Sequence, residues 1–596
     1  MSDSPSFWTS PSTVQRFSLV GLVLLMLLAL WQAMQLWAFS LDDAYISLTY
    51  AKNVVAGKGF VFNPGEKVEG FSNPLWVLLL AMGGMIGIPM VAWAKVLGTA
   101  AMLGTLFLCW RLTTLWIQEM PAEKTIDLEA PKKKRRKGKN SEENVAKEPE
   151  MTVEKGRLLV LLPVLVAGWW LVNPGVTYYA VAGLETILTT FLLTSALFLH
   201  FRDKGEGAIA WYALPLGLAA LTRPEVVVFV GALCGWRLLQ ALPEVEGKGI
   251  GAQFKALPRR EWLSFGLAFL PFAGWMLFRL VYFGDIFPNT YYAKPSTFWS
   301  RPGLGVQYVL GFFSHYAGSI VAKTPKNAGF HGFASLVGGV TGLMLGFFLL
   351  RSLLQRAQWK RVLPLVLMVL LGCLFALYTG GDWMTHHRFF QPILPLFFLL
   401  VGVGLMTLPL KKQRLWLWGL GLLLLWQSPR LPFFASALKG NRQLDHAHRS
   451  DNNLKIAQWL KKNVPAGKSV LTDEIGAIGY VSNLKVLDFW GLVDRRVGRI
   501  LHNKRFNPYS TPAFAAKRTL VQGMIARELL QRKPEYILLD YQGPVPRNAA
   551  ALEKRRIHPI TMKQLFAQMG SNYSYVRGFS LMTAPYKTFV LFKRNQ

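Results

Sequence analysis

The sequence predicts a polytopic α-helical membrane protein of about eleven spans with a C-terminal extracytoplasmic α/β domain. Three observations carry this expectation. Apolar runs recur at the ~18–20 residues that cross a bilayer, in a chain that is 52% hydrophobic with a mean hydropathy of +0.28. Only 17% of its 596 residues are charged, yet the net charge is +33, and the basic residues gather in alternate loops. After Trp426 the composition turns polar and mixed.

The run Val14–Ala38 reads as a retained first span, about Arg16–Phe39, because no small-residue cleavage signature leads into a soluble region. A polar loop, Ser40–Asn73, follows. Its Ala44–Val55 stretch has the pattern of a short amphipathic helix lying on the membrane. Apolar segments come next at Pro74–Met90 and Val91–Ile117, then a low-complexity insert, Pro121–Gly156, centred on Lys132–Lys139. Further spans are expected at Arg157–Val172, Val181–His200, Ala208–Leu221, Val226–Ala241, Trp262–Tyr282, Gly332–Leu350, Val362–Tyr378, Phe389–Met406 and Leu415–Trp426.

Loop charge sets the orientation. The Lys132 insert, Phe201–Gly207, Lys248–Arg260, Arg351–Arg361 and Lys411–Arg414 are basic and should be cytoplasmic. Asn173–Ala180, Thr222–Glu225, Gly284–Pro295 and Gly380–Arg388 should face outside with Asp42 and Asp43. The two sets alternate when Pro74–Met90 and Gly303–Val321 are re-entrant or interfacial. The N-terminus is then cytoplasmic and the C-terminal domain extracytoplasmic. The predicted division is a transmembrane domain over residues 1–427, with 121–156 a disordered cytoplasmic insert, and an α/β domain over 428–596. Helical period fits Asn452–Asn463 and Ala513–Gln531. Short β-type runs lie at Ser469–Thr472, Lys485–Leu487, Glu535–Leu539 and Thr588–Phe592.

This context excludes nucleic acid as a partner. A basic loop between spans offers no reading surface and instead meets anionic membrane lipid. Cys109, Cys234 and Cys373 each lie inside an apolar run, so neither a disulfide nor a cysteine metal site is expected.

The candidate site lies in the outer loops. Asp42 and Asp43 end the first span because hydrocarbon cannot solvate adjacent carboxylates. They read either as caps on the Ala44–Val55 helix or as a reactive acid pair. Gly183-Leu184-Glu185-Thr186 puts a carboxylate at the start of a span. Thr222-Arg223-Pro224-Glu225 places Arg223 and Glu225 between two spans. The stretch from Gly284-Asp285 through Asn289, Tyr292 and Lys294 ends one span, and Gly380-Gly381-Asp382 with His386, His387 and Arg388 begins another. Each loop alone would serve as an interfacial anchor. Together they form an acid-lined site rimmed by Arg, Lys and His, which suits a phosphate-bearing ligand. His386-His387 and Asp445-His446-Ala447-His448 lack a closed ligand set, so no metal site is assigned. No cofactor is established. Asp42, Asp43 and Asp382 are hard oxygen donors that would accept a divalent cation.

Asp42-Asp43-Ala44-Tyr45-Ile46-Ser47, Asn63-Pro64-Gly65-Glu66 and Val68-Glu69-Gly70-Phe71-Ser72-Asn73-Pro74-Leu75-Trp76 resemble the GT-C membrane glycosyltransferases. Within these the pattern is closest to the bacterial arabinofuranosyltransferase branch of mycobacterial type. The outer-loop motifs continue the resemblance. Gly476-Ala477-Ile478-Gly479-Tyr480 and Asp488-Phe489-Trp490-Gly491-Leu492-Val493-Asp494 extend it into the C-terminal domain.

The resemblance implies a bacterial inner-membrane enzyme. It would move a sugar, arabinofuranose, from a polyprenyl-phosphate donor to an extracytoplasmic envelope glycan or surface-protein acceptor, with a C-terminal domain that binds glycan. It also implies a catalytic aspartate in the first outer loop, Asp42 or Asp43. From charge and loop position, Arg223, Lys294, Arg388 and His386 are assigned to the donor phosphate. Glu69, Glu225, Asp285 and Asp382 would hold the sugar or orient the base, with Asn289 and Tyr292 beside them. The competing class is a non-catalytic membrane protein that transports or binds lipid-linked glycans. A transporter would carry charges deep within its helices and an internal repeat; here the acids cluster at one interface.

Overall fold

The structure, a computed structural model, describes residues 11–119, 153–242, 254–294, 302–314, 346–354, 359–382, 384–408, 445–503, 515–541, 563–580 and 588–595, with a few isolated positions between. The chain is a helical membrane protein with a C-terminal sheet region. Among the described residues five helices are long and apolar enough to cross a membrane, or up to six if one bent pair counts as a span.

The first is α1, Pro11–Gln35, followed by α2, Ala44–Val55, α3, Pro74–Met85, and α4, Met90–Gln118. The expectation that α2 lies on the membrane is corrected. Nine of its residues are buried, from Ala44 to Ala51 and Asn53, because α3 packs on one side and the C-terminal domain on the other. The 12 residues of α3 cover about 18 Å at 1.5 Å per residue, short of a ~30 Å hydrocarbon core.

The outer segment Asn173–Ala180, expected as a loop, is instead helical. After α5, Val153–Leu171, the chain bends by 61° into α6, Pro174–Val181. Asn173 starts the new helix by accepting the Gly175 N–H at 2.8 Å, and Pro174 suits its first turn. The helix α7, Thr186–Arg202, follows.

A third correction falls on Ala208–Leu221. Its helix α8, Ala213–Ala220, has only eight residues and covers about 12 Å. The preceding residues turn instead, and Ser264 Oγ accepts the Ala210 N–H at 2.8 Å. Helices at Arg259–Phe283, Trp359–Thr379 and Leu394–Met406 match expected spans, the last led in by a 3-10 turn, Arg388–Ile393. The helix Val226–Ala241 is apolar but, at 16 residues, shorter than a full crossing. For Gly303–Val321 a helix is described at Pro302–Ser314. The Lys132–Lys139 insert, most of Gly332–Leu350 and most of Leu415–Trp426 lie outside the described residues.

The C-terminal region begins with the helix Asp445–Asn463. It holds a five-stranded sheet ordered β2-β1-β3-β5-β4, with β1 at Ser469–Thr472, β2 at Lys485–Asp488, β3 at Tyr536–Tyr541, β4 at Tyr573–Ser580 and β5 at Thr588–Arg594. Strand β1 pairs in parallel with both β2 and β3, placing Leu471 beside Leu487 and Ile537. Strand β5 runs antiparallel to β3 and β4. The continuous burial of β3 fits a central strand covered on both faces. One hydrophobic cluster joins Tyr45, Leu48, Tyr50, Phe71 and Trp76 of the first-loop region to Ile456, Leu460, Ile478, Leu538 and Leu591 of the sheet region. The two regions share a core, which fixes the first loop against the sheet.

Candidate active site

The first loop is pinned from several directions. Lys95 of α4 donates to the carbonyls of Trp37 and Phe39, closing carbonyls left open where the first helix ends. The Leu41 N–H donates to Ala182 O at 3.1 Å. Gly183 has φ +87°, and a Cβ there would lie 2.9 Å from Ala44 Cβ. That corner requires glycine twice over, for its backbone and for its contact.

The capping reading of the acid pair fails. Asp43 occupies the N-cap position of α2 but makes no side-chain cap hydrogen bond. Asp42 turns away from α2 into the C-terminal domain. Its carboxylate accepts from Gly476 N at 2.9 Å, Ala477 N at 3.0 Å and Asn453 Nδ2 at 3.1 Å. These N–H groups open the helix Gly476–Ser482 just beyond the carboxyl end of β1, the edge where parallel α/β sheets take up ligands. Burial, with Glu474 adding to it, raises the Asp42 carboxyl to about 7 against the pull of its hydrogen bonds.

Asp43 is different. Among the described residues no hydrogen bond or ion pair reaches its carboxylate, and it is partly exposed. Burial raises its proton affinity, while the charges of Lys294 and then Arg388 oppose that rise. Lys294 likewise makes no hydrogen bond or ion pair among the described residues. Lys294 is itself solvent-exposed; the protein packed around it still lowers its proton affinity, with Asp43 the foremost opposing charge. Among the described residues, then, a carboxylate and an ammonium without hydrogen-bond or ion-pair partners feel each other's charge.

Around this pair the outer loops interlock. Arg388 lies 2.6 Å from Asp382. The guanidinium groups of Arg223 and Arg388 stand 5.4 Å and 5.7 Å from the Phe389 ring. Arg223 pairs with Glu225 and, at 3.2 Å, with Glu185. Glu185 accepts from Asn73 Nδ2 at 2.8 Å, and Asn73 accepts from Ser47 Oγ at 3.2 Å. Glu225 thus holds Arg223 in place. His386 and His387 both adopt left-handed backbone, φ 58° and 49°, a conformation that costs about 1–3 kcal/mol per residue. Gln391 Nε2 holds His386 O at 2.7 Å, and the His386 ring packs 5.1 Å from Tyr178.

The remaining residues singled out from sequence lie at the seam with the C-terminal domain. Glu69 is buried and accepts from Trp275 Nε1 at 3.0 Å and from Arg279. Asp285 accepts from Tyr292 Oη at 2.7 Å and pairs with Arg499. Asn289 donates to Gly491 O at 2.6 Å and Leu492 O at 2.9 Å. The Asp488–Asp494 stretch shapes that receiving turn: Asp488 accepts the N–H groups of Trp490 at 2.8 Å and Val493 at 3.0 Å.

The pattern-based assignment missed Asn453 and Glu474. Asn453 Nδ2 stands 3.1 Å from both Asp42 Oδ1 and Glu474 Oε2, bridging the two acids. The available signal was the position of Asp473-Glu474 between a short β run and Gly476, the strand-to-helix turn that carries ligand contacts in parallel sheets. Arg279 and Arg499, partners of Glu69 and Asp285, carried no motif at all.

Comparison with known proteins agrees with the resemblance set out from the loop motifs. The chain is 27% identical over 408 residues to a terminal β-(1→2)-arabinofuranosyltransferase of Mycobacterium tuberculosis, covering 63% of this chain and 53% of that protein. It is 27% identical over 408 residues to the Corynebacterium glutamicum protein of the same name, covering 61% and 47%. The chain thus spans about half the length of the curated relatives it matches. Residues 442–592 match a family described as a domain of unknown function, DUF8728. Among solved structures, ArnT from Cupriavidus metallidurans in the apo state aligns with a TM-score of 0.49 at 11% identity, over 96% of this chain and 97% of that one. The Archaeoglobus fulgidus oligosaccharyltransferase tethered with an acceptor peptide aligns with a TM-score of 0.48 at 12% identity, over 96% and 80%.

Proposed function

We propose that this chain, a relative of the terminal β-(1→2)-arabinofuranosyltransferases, transfers a sugar from a polyprenyl-phosphate donor to an extracytoplasmic envelope acceptor. The sugar read from those relatives is arabinofuranose. The observation that carries the proposal is the Asp43 carboxylate, without a hydrogen-bond or ion-pair partner among the described residues, under the charges of Lys294 and Arg388. A lipid phosphate is a good leaving group and needs cationic stabilisation more than a proton. Lys294 and Arg388 supply that charge, and Asp382 orients the Arg388 guanidinium.

In this reaction the acceptor hydroxyl attacks the anomeric carbon. The bond from that carbon to the phosphate oxygen breaks, its electron pair leaves with the lipid phosphate, and the hydroxyl proton passes to Asp43. Within this reading Asp43 is the base, and Asp42 is a neighbour fixed by the C-terminal domain.

The test is transfer by the purified full-length protein in detergent, with radiolabelled polyprenyl-phosphate arabinofuranose and an envelope arabinan fragment. Label should move to the fragment and fall by about 10²–10⁴-fold in Asp43→Asn, the range for loss of a general base. An Asp43→Asn protein that transfers at the wild-type rate would remove the assignment. A wild type that transfers from no polyprenyl-phosphate sugar would remove the reading.

A further inference from the structure

Asp42 and Asp43 are chain neighbours with different environments. One accepts from three donors of the C-terminal domain, and the other has no hydrogen-bond or ion-pair partner among the described residues. We infer that the C-terminal domain is a working part of the reaction centre. Asn453 and the Gly476 and Ala477 N–H groups clamp Asp42, and that clamp aims Asp43 at Lys294 and Arg388. The inference rests on the proposed transfer reaction and assigns Asn453, Glu474 and Gly476 as positioning residues for it.

The contact has little slack. A Cβ on Gly476 would stand 1.9 Å from Asp42 O and 2.6 Å from Asp42 Oδ2, so the strand-to-helix turn meets both the main chain and the side chain of Asp42. Fixing both on one residue fixes the peptide that leads into Asp43. On the other side of the acid pair, Leu41 is tied to Ala182 and Gly183 lies against Ala44. Asp43 therefore sits between two anchored neighbours. Its backbone, φ −57° and ψ −27°, is helical and unstrained, so the direction of its side chain is set by where the clamp holds the loop.

Glu474 adds a second function to the clamp. Asn453 has one amide group shared between Asp42 and Glu474 at 3.1 Å each. The negative charge of Glu474 also acts on Asp43. A carboxylate from the sheet region thus bears on the reactive acid through its charge. In a site tuned to sub-ångström geometry, small misplacements of a catalytic group cost large factors in rate.

The experiment uses the full chain, with Asn453→Ala and Gly476→Ala as clamp variants and Lys485→Ala as a control. Lys485 pairs with Glu66 across the same interface at 2.6 Å, but both side chains are largely exposed and neither touches Asp42. In Asn453→Ala, kcat should fall about tenfold to hundredfold, the range for losing a hydrogen bond to a charged group; in Gly476→Ala, whose added Cβ would push Asp42 aside, it should fall at least as far. KM for the polyprenyl-phosphate sugar should stay within about twofold, because Lys294 and Arg388 are untouched. Lys485→Ala should keep wild-type kcat. Hydrogen exchange at the Gly476 and Ala477 amides should accelerate at least about tenfold in Asp42→Ala.

Wild-type kcat in both clamp variants overturns the inference, as does a kcat loss matched by an equal rise in KM, which would mark a merely structural seam. Amides that exchange equally fast with and without the Asp42 carboxylate overturn the clamp itself. A wild type inactive with every donor overturns the transfer reading and the positioning role together, and the exchange measurement separates that outcome from failure of the clamp.

Discussion

The carboxylate of Asp42 accepts the main-chain N–H of Gly476 at 2.9 Å, across 434 positions of sequence. The bond joins the end of the first span to the edge of a sheet that forms near the other end of the chain. It gives two adjacent aspartates opposite roles, one satisfied and one open. It also separates what each should contribute to stability and to turnover.

Asp43→Ala should leave the thermal midpoint in detergent within about 1 °C of wild type, since among the described residues no hydrogen bond reaches its carboxylate. Asp42→Ala should lower it by several degrees, because the Gly476 and Ala477 N–H groups lose their acceptor and Asn453 is left with Glu474 alone. The check is a fluorescence melt of both variants beside wild type. Equal midpoints would contradict the division.

Lys294→Met should move the acidic limb of the pH–rate profile to higher pH. The Lys294 charge favours the ionised form of Asp43 and opposes the effect of burial. Removing that charge raises the Asp43 pKa further, so the base becomes available only at higher pH. The profile of kcat/KM between pH 4 and 9 reads this directly. A limb that stays put or moves down would count against Asp43 as the base.

Glu69→Ala should act on folding rather than on sugar binding. Arg279 is buried, and Glu69 is its ion-pair partner. Removing one member of a buried pair costs about 3–5 kcal/mol. The expected outcome is low yield and early melting, with KM near wild type in whatever protein folds. A well-folded variant with a selectively raised donor KM would return Glu69 to the sugar site.

The contribution of Asp42 and Asp488 to stability should fall as pH rises from about 4 to about 7. Burial raises both Asp42 and Asp488 from the usual 3.8 to about 7. Across that window the folded chain holds protons that the unfolded chain has released, so raising pH favours unfolding. The favourable contribution is complete below the unfolded value and gone above the folded one. Three pH units correspond to at most about 4 kcal/mol for each group. Asp488→Asn should remove its part of the slope in melts taken between pH 4 and 8; an unchanged slope would contradict this.

The outer-loop motifs legible in the sequence do converge around Asp43. Arg223, Asp382, Arg388 and Lys294 share one electrostatic neighbourhood. Others met different fates. Glu69, Asp285 and Asn289 were singled out for charge and loop position, but their partners are Arg279, Arg499 and the Gly491–Leu492 turn. Those partners carry no local pattern, so the pairing was invisible in one dimension. The helix at Pro174–Val181 was hidden because a polar, aromatic segment enclosed by protein looks like an interfacial loop.

By itself the sequence determined the apolar helices, the polar C-terminal region and the acids at the end of the first span. Those features follow from local properties: the length of an apolar run, the side-chain period and the cost of placing charge in hydrocarbon. Only the tertiary structure decided which aspartate the C-terminal domain holds. That choice depends on N–H donors brought from Asn453, Gly476 and Ala477 by the fold of a distant sheet. Two identical side chains side by side differ only in what surrounds them, and surroundings are set by packing across hundreds of residues.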